Sequence, residues 1–274
     1  MTVRFDAYTA TMRGPKPDDL AQLLFDQVGI GGQWSKSRGF HQFGERLAAK
    51  TQEGHEVGAV SFGGKQGDLL MIEVKGECSP AVVEALRARF EHKVTRVDSC
   101  GDFDAPGAFS RLYRACRTVK KAHRVLGGKA GDWEDFPEKG RTLYLGSKAS
   151  PCRARLYEKG LQPEYAHLSR PDWVRLEAQI RPKGKEAGQV FATLSPMDVW
   201  GVGRWTRDLA AQVFQSHVDP HPAGTVYRLS DRETALRWLC RQYGQHLTSL
   251  AQDLGGWDCV GLSLGEILAE QAKG

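Results

Sequence analysis

Arg153-Ala154-Arg155-Leu156-Tyr157-Glu158-Lys159 and Trp173-Val174-Arg175-Leu176-Glu177-Ala178-Gln179-Ile180-Arg181 alternate apolar and polar side chains with a period of two. That period marks a strand with one face in a core. On the first segment Ala154 and Leu156 point inward, while Arg153, Arg155, Tyr157 and Lys159 share the other face. On the second, Val174, Leu176, Ala178 and Ile180 point inward, opposite Arg175, Glu177, Gln179 and Arg181. Together they predict a sheet whose open face carries a tyrosine, a carboxylate and many cations, a surface suited to an extended polyanion.

Outward from this pair, strands are expected at Val3 to Met12, Phe40 to Ala49, Val57 to Phe62, Asp68 to Lys75 and Val94 to Phe103. Helices are expected at Pro17 to Val28, after the cap-and-proline start Ser79-Pro80, and where Phe109, Leu112, Cys116 and Val119 form one stripe. Residues 127–140 read as a loop joining two sheet-forming halves. Gly29-Ile30-Gly31-Gly32 follows a helix rather than a strand, so it reads as a helix C-cap and turn, not a phosphate loop. Beyond Ser195 the pattern becomes helical. Ser195-Pro196-Met197-Asp198 and Ser230-Asp231-Arg232-Glu233 are capping-box starts, and the stripe Leu236, Leu239, Tyr243, Leu247, Leu250, Leu254 ends at Gly255-Gly256. The expected fold is α+β: mostly antiparallel sheets with helices packed on one face over residues 1–194, then a helical subdomain at 195–274.

With 274 residues, 41% of them hydrophobic, the chain can bury a substantial core. No run approaches the roughly 18 apolar residues of a membrane helix, and the start lacks a basic flank followed by an apolar stretch, so a cytoplasmic protein without membrane partners is expected. The six cysteines are widely spaced with no Cys-x-x-Cys pair, which argues against zinc or thiol redox chemistry. The net charge of +5 is unevenly spread: residues 139–185 hold eleven Lys or Arg against four Asp or Glu, leaving the remainder net acidic. Such a concentration is what a phosphate-backbone track looks like.

Asp98 and Asp102 lie four residues apart on one strand and so share a face. Neighbouring carboxylates repel unless a cation or proton lies between them. With Glu177 as a third oxygen ligand, the set favours Mg²⁺ or Mn²⁺ over Zn²⁺. Tyr157, flanked by Arg155 and Lys159 at the two-residue period, is the candidate nucleophile, because nearby cations favour a phenolate. Tyr144, on the preceding strand, is the alternative. None of the eight histidines is arranged as His-hydrophobic-His.

The ordered segments Arg96-Val97-Asp98-Ser99-Cys100-Gly101-Asp102-Phe103, Tyr144-Leu145-Gly146-Ser147-Lys148-Ala149-Ser150, Arg155-Leu156-Tyr157-Glu158-Lys159 and Trp173-Val174-Arg175-Leu176-Glu177 resemble the replication initiation factor family, the rolling-circle initiators of some plasmids and filamentous phages. The resemblance is strongest over about 94–181. It implies that residues 1–194 form a nicking core that cuts one DNA strand at an origin, leaving a 5′-phosphotyrosine and a free 3′-OH. It places Tyr157 as nucleophile with Arg155 and Lys159 stabilising charge, and Asp98, Asp102 and Glu177 as the acidic metal positions. Lys148, Arg153, Arg175 and Arg181 would hold the DNA backbone. No nucleotide cofactor is implied; a host helicase and a second copy of the chain are implied as further partners. Competing readings are a DNA-binding regulator without chemistry and a metal-dependent nuclease that uses water.

Overall fold

The computed structural model describes residues 2–28, 31–224 and 231–271. The expectations at Gly29-Ile30 and for the cap Ser230 fall outside the described residues. Ten strands form one antiparallel sheet: β1 (Val3–Met12), β2 (Gln33–Arg38), β3 (Glu45–Lys50), β4 (Glu56–Phe62), β5 (Leu70–Lys75), β6 (Lys93–Asp104), β7 (Gly127–Ala130), β8 (Thr142–Leu145), β9 (Cys152–Glu158) and β10 (Trp173–Ile180). Their order is β2-β3-β4-β5-β1-β6-β10-β9-β8-β7. The two expected halves are therefore one sheet, joined where β6 pairs with β10 from Val97–Ile180 to Asp104–Trp173.

Five helices accompany the sheet: α1 (Pro17–Val28), α2 (Ser79–Arg89), α3 (Ala108–Ala122), α4 (Gly184–Phe191) and α5 (Arg204–Phe214). Cross-strand register explains where they pack. The row Gly58, Val74, Tyr8, Val97, Ile180, Cys152 runs in register across six strands, and the row Val3, Gly101, Leu176, Leu156, Leu143 across five. Both rows are mostly apolar, and burying them supplies about 25 cal/mol for each Å² removed from water. Helix α1 lies against β3, β4 and β5, α2 against β1 and β5, α3 against β8, β9 and β10, and α4 against β6. Gly58 is a contact position: a Cβ there would sit 2.9 Å from a Leu24 methyl of α1 and 2.3 Å from the Glu73 carbonyl oxygen.

Four details differ from expectation. In place of one strand at Phe40 to Ala49 there are two, β2 and β3, paired with each other across residues 39–44. Residues 127–130 are an edge strand, not a loop; with glycine at two of four positions it carries no side-chain period, and pairing with β8 recruits it. Ser79 is the first residue of α2 rather than its cap, its Oγ donating to the Asp6 carbonyl at 3.0 Å. The chain divides into Met1–Thr225 and Val226–Gly274, later than the expected boundary after 194. Residues 195–224 belong with the sheet because Trp200 is fully buried in its core, its Nε1–H donating 3.0 Å to Ser99 Oγ, which donates in turn 2.6 Å to the Pro196 carbonyl. The capping box at Ser195 and Asp198 does form, opening a 3-10 turn at Asp198–Val202.

The second unit contains α6 (Asp231–Asp253) and α7 (Trp257–Gln271), joined through Gly255, whose φ of +84° a residue with a Cβ rarely adopts. Ala251 and Val260 are buried, whereas Leu236, Leu239, Tyr243 and Leu254 of the expected stripe are exposed. All six cysteines are free thiols. Among the described residues no helix is long and apolar enough to cross a membrane.

Candidate functional site

On the face of the sheet away from the helices, the same antiparallel register lines up three polar rows across β6, β10, β9 and β8. The first is Asp102, Arg175, Tyr157, Thr142; the second Cys100, Glu177, Arg155, Tyr144; the third Asp98, Gln179, Arg153. A period of two along each strand chooses the face, and the register chooses the neighbours. The expected polar face thus exists, but β10 is buried on both sides: Arg175 and Glu177 are each only 1% exposed.

Tyr157 stands at the centre of this face. Its hydroxyl donates a long 3.4 Å hydrogen bond to Glu177 Oε2, and Arg155 Nη2 donates to the same oxygen at 2.9 Å. The Arg155 guanidinium also lies 4.7 Å from the centre of the Tyr157 ring. Burial, reinforced by Asp98, raises the Glu177 carboxyl to about 7. Burial and then the Glu177 charge push the Tyr157 phenol well above its ordinary value, against the opposing pull of Arg155. The expected phenolate-favouring cations are therefore outweighed by desolvation: the hydroxyl is held as a protonated donor facing a carboxyl group able to titrate near neutrality. That pairing permits proton transfer from phenol to carboxylate.

Lys159 does not share this environment. Strand β9 ends at Glu158, and the 3-10 turn Lys159–Leu161 swings the Lys159 Nζ between the rings of Tyr165 and Trp173, 4.4 and 4.7 Å from their centres. Burial, with help from Arg175, lowers it to about 8. The two-residue period failed there because the strand stops one residue too early.

The acidic trio does not converge either. Four residues of extended chain separate Asp98 from Asp102 by about 13 Å, at roughly 3.3 Å per residue. Glu177, opposite Cys100, is a diagonal neighbour of both. Asp98 is engaged by Arg96 at 2.9 and 2.5 Å and by Gln179 at 3.3 Å. Asp102 accepts from Arg175 at 2.7 and 2.7 Å and from Trp173 Nε1 at 2.8 Å. Although burial opposes it, Arg175 holds the Asp102 carboxyl below its usual range. Among the described residues no group of three His, Cys, Asp or Glu side chains could hold a metal ion. A single Mg²⁺ or Mn²⁺ held by Asp98, Asp102 and Glu177 does not fit this arrangement, because each carboxylate is already neutralised by its own guanidinium.

Arg175, expected on the DNA, is instead an internal tie: besides Asp102 it donates 2.5 Å to Asp6 Oδ1, a residue the sequence did not single out. Asp6 lies at a register shift in β1 between Phe5 and Ala7, and Arg4 joins the same cluster. Only a bulge turning a β1 carboxylate toward β10 makes this partner available. Of the other three expected backbone contacts, Lys148 and Arg181 are exposed and Arg153 is half-buried, its guanidinium 3.9 Å from the centre of the Tyr144 ring. Among the described residues the buried Nε–H groups of Arg153 and Arg155 have no acceptor.

A family model described as replication initiation factor matches residues 93–241, more than half of the chain, from the start of β6 into α6. No curated protein matches the chain significantly. Among solved structures, the chain is similar to a rolling circle replication initiator protein from Geobacillus stearothermophilus, with 17% identity, a TM-score of 0.49, and coverage of 73% of this chain and 83% of that one.

Proposed function

The chain belongs to the replication initiation factor family, and from that premise we propose that it starts rolling-circle replication by cutting one strand of an origin through Tyr157. The observation that carries the assignment is Tyr157 itself: inside the matched span, on the polar face, with its hydroxyl against Glu177 and its ring under Arg155. In the reaction, a bond forms between Tyr157 Oη and the scissile phosphorus and the bond from phosphorus to the 3′-oxygen breaks. The phenol proton passes to Glu177, and the departing 3′-oxygen takes a proton from solvent. Arg155 stands against both partners and stabilises the charge that moves from phenol to phosphate. The energy of the cleaved phosphodiester is kept in the 5′-phosphotyrosine, so no nucleotide is consumed, and the freed 3′-OH primes synthesis.

Lys148, Arg153 and Arg181 track the backbone of an unpaired strand. The Tyr144 ring, packed on Arg153, is a surface on which a base can stack rather than the nucleophile. No step is assigned to Mg²⁺ or Mn²⁺. Resealing and strand opening call for a second copy of the chain and a host helicase. The test is a 5′- and 3′-labelled single strand carrying the origin, incubated with the full chain and resolved on a denaturing gel. Wild-type protein should carry label covalently on the peptide containing Tyr157, and Tyr157→Phe should leave binding intact but form no adduct. Adduct on Tyr144, or cleavage without adduct, would overturn the proposal.

A further inference from the structure

From Ala105 to Gly131 the chain contains seven Lys or Arg and not one Asp or Glu. Most of this segment is α3, whose apolar side, Phe109, Leu112, Cys116 and Val119, is buried against the sheet. At 100° per residue Arg111, Arg114, Arg117 and Lys121 fall on the opposite side; all four are exposed, as is Arg124 just past the helix end. Among the described residues none of the segment's seven Lys or Arg is in an ion pair, its one such contact being His123 with Asp208, although fourteen pairs are formed elsewhere. A surface helix that merely needed solubility would mix signs and pair them. Beside α3 a groove of about 370 Å³, lined by Arg117, Lys120, Lys129, Tyr113 and the glycines of β7, continues the basic surface to the sheet edge.

We propose that this outer face of α3 is a second DNA-binding surface, which holds the phosphate backbone of duplex flanking the cut. It lies on the helix-covered side of the sheet, so duplex and cleaved strand are held on opposite sides of β8, β9 and β10. Charge complementarity selects the occupant. Arg111 to Lys121 covers about 15 Å at 1.5 Å per residue, against one phosphate charge about every 1.7 Å of duplex axis. The side chains are long cations without the shaped polar pockets that base or peptide recognition needs. The inference rests on the proposed action at an origin only for its setting, not for its chemistry.

The experiment compares full-length wild type with a chain carrying Arg111→Gln, Arg114→Gln, Arg117→Gln, Lys121→Gln and Arg124→Gln, and with one in which the four arginines become lysine. Duplex binding is followed by fluorescence anisotropy at several NaCl concentrations, and adduct formation on a single-stranded origin oligonucleotide is measured alongside. Five phosphate contacts contribute about −4.5 to the slope of log affinity against log salt, so between 50 and 200 mM salt wild type should weaken about 500-fold more than the glutamine variant. The lysine variant should keep the wild-type slope, and single-strand adduct formation should persist in all three. An unchanged slope in the glutamine variant, loss of adduct in step with loss of duplex binding, or tighter binding to poly-glutamate than to duplex would overturn the proposal. Absence of adduct from wild type would instead sink the nicking reading and leave the duplex result standing.

Discussion

Replacing Glu177 with glutamine should make the protein more stable and much slower to form adduct at once. The carboxyl is 1% exposed and sits beside buried Asp98; burial first, then that like charge, raises it from 4.5 to about 7. A folded-state value above the unfolded one means that the native protein holds the proton more tightly. The stability this confers is complete below pH 4.5 and is lost as pH rises through 7. A rise of about 2.5 units at 1.36 kcal/mol each corresponds to about 3 kcal/mol. Glutamine mimics the protonated side chain in shape, so Glu177→Gln should match wild type below pH 4.5, exceed it slightly at pH 5 and exceed it by up to about 3 kcal/mol at pH 8. The loss of the Arg155 partner costs little, because the Arg155 side chain is 42% exposed and returns to water. Urea unfolding at pH 5, 6, 7 and 8 measures both slopes, and adduct formation should fall by about 10² to 10⁴, the usual contribution of a positioned acid–base group. A variant no more stable than wild type at pH 8 would refute the reasoning about burial. A stabilised variant that still formed adduct at the wild-type rate would refute the proton-transfer role alone.

Arg175→Met should destabilise the fold by about 3–5 kcal/mol, because it strands Asp6 and Asp102 without their cation; duplex affinity of the folded fraction should keep its salt slope, where a DNA-contacting arginine would reduce it by about 1. Tyr157→Phe removes only a 3.4 Å hydrogen bond and should shift stability by less than about 1 kcal/mol in urea unfolding. Deleting 226–274 should leave a chain that unfolds cooperatively, whereas deleting 195–274 should leave a chain without a cooperative transition, since it removes Trp200 and Leu209 from the core. Circular dichroism melts of the two truncations distinguish these outcomes.

The α+β architecture was legible because its signals are local. The alternation through Arg153 to Glu158 and Trp173 to Ile180 assigns every residue to a face, and the stripe Phe109, Leu112, Cys116, Val119 orients α3. The exposed cations of α3 obey the same helical period and are equally local. Strand β7 was not legible, since Gly127-Gly128-Lys129-Ala130 has no pattern until β8 pairs with it.

By itself, the sequence determined which side chains share a face, that the polar face is basic, and that Tyr157 lies in a family-like segment, because these depend on a period of two or 3.6 within one stretch of chain. Tertiary structure alone decided what each charge does. Arg175 became an internal tie because Asp6, 169 residues away, reaches it; Lys159 left the site because β9 ends one residue before it; and three carboxylates that looked like one metal site were dealt to three different guanidiniums. Charge pairing and desolvation depend on cross-strand register and burial, quantities set by distant segments that no local pattern records.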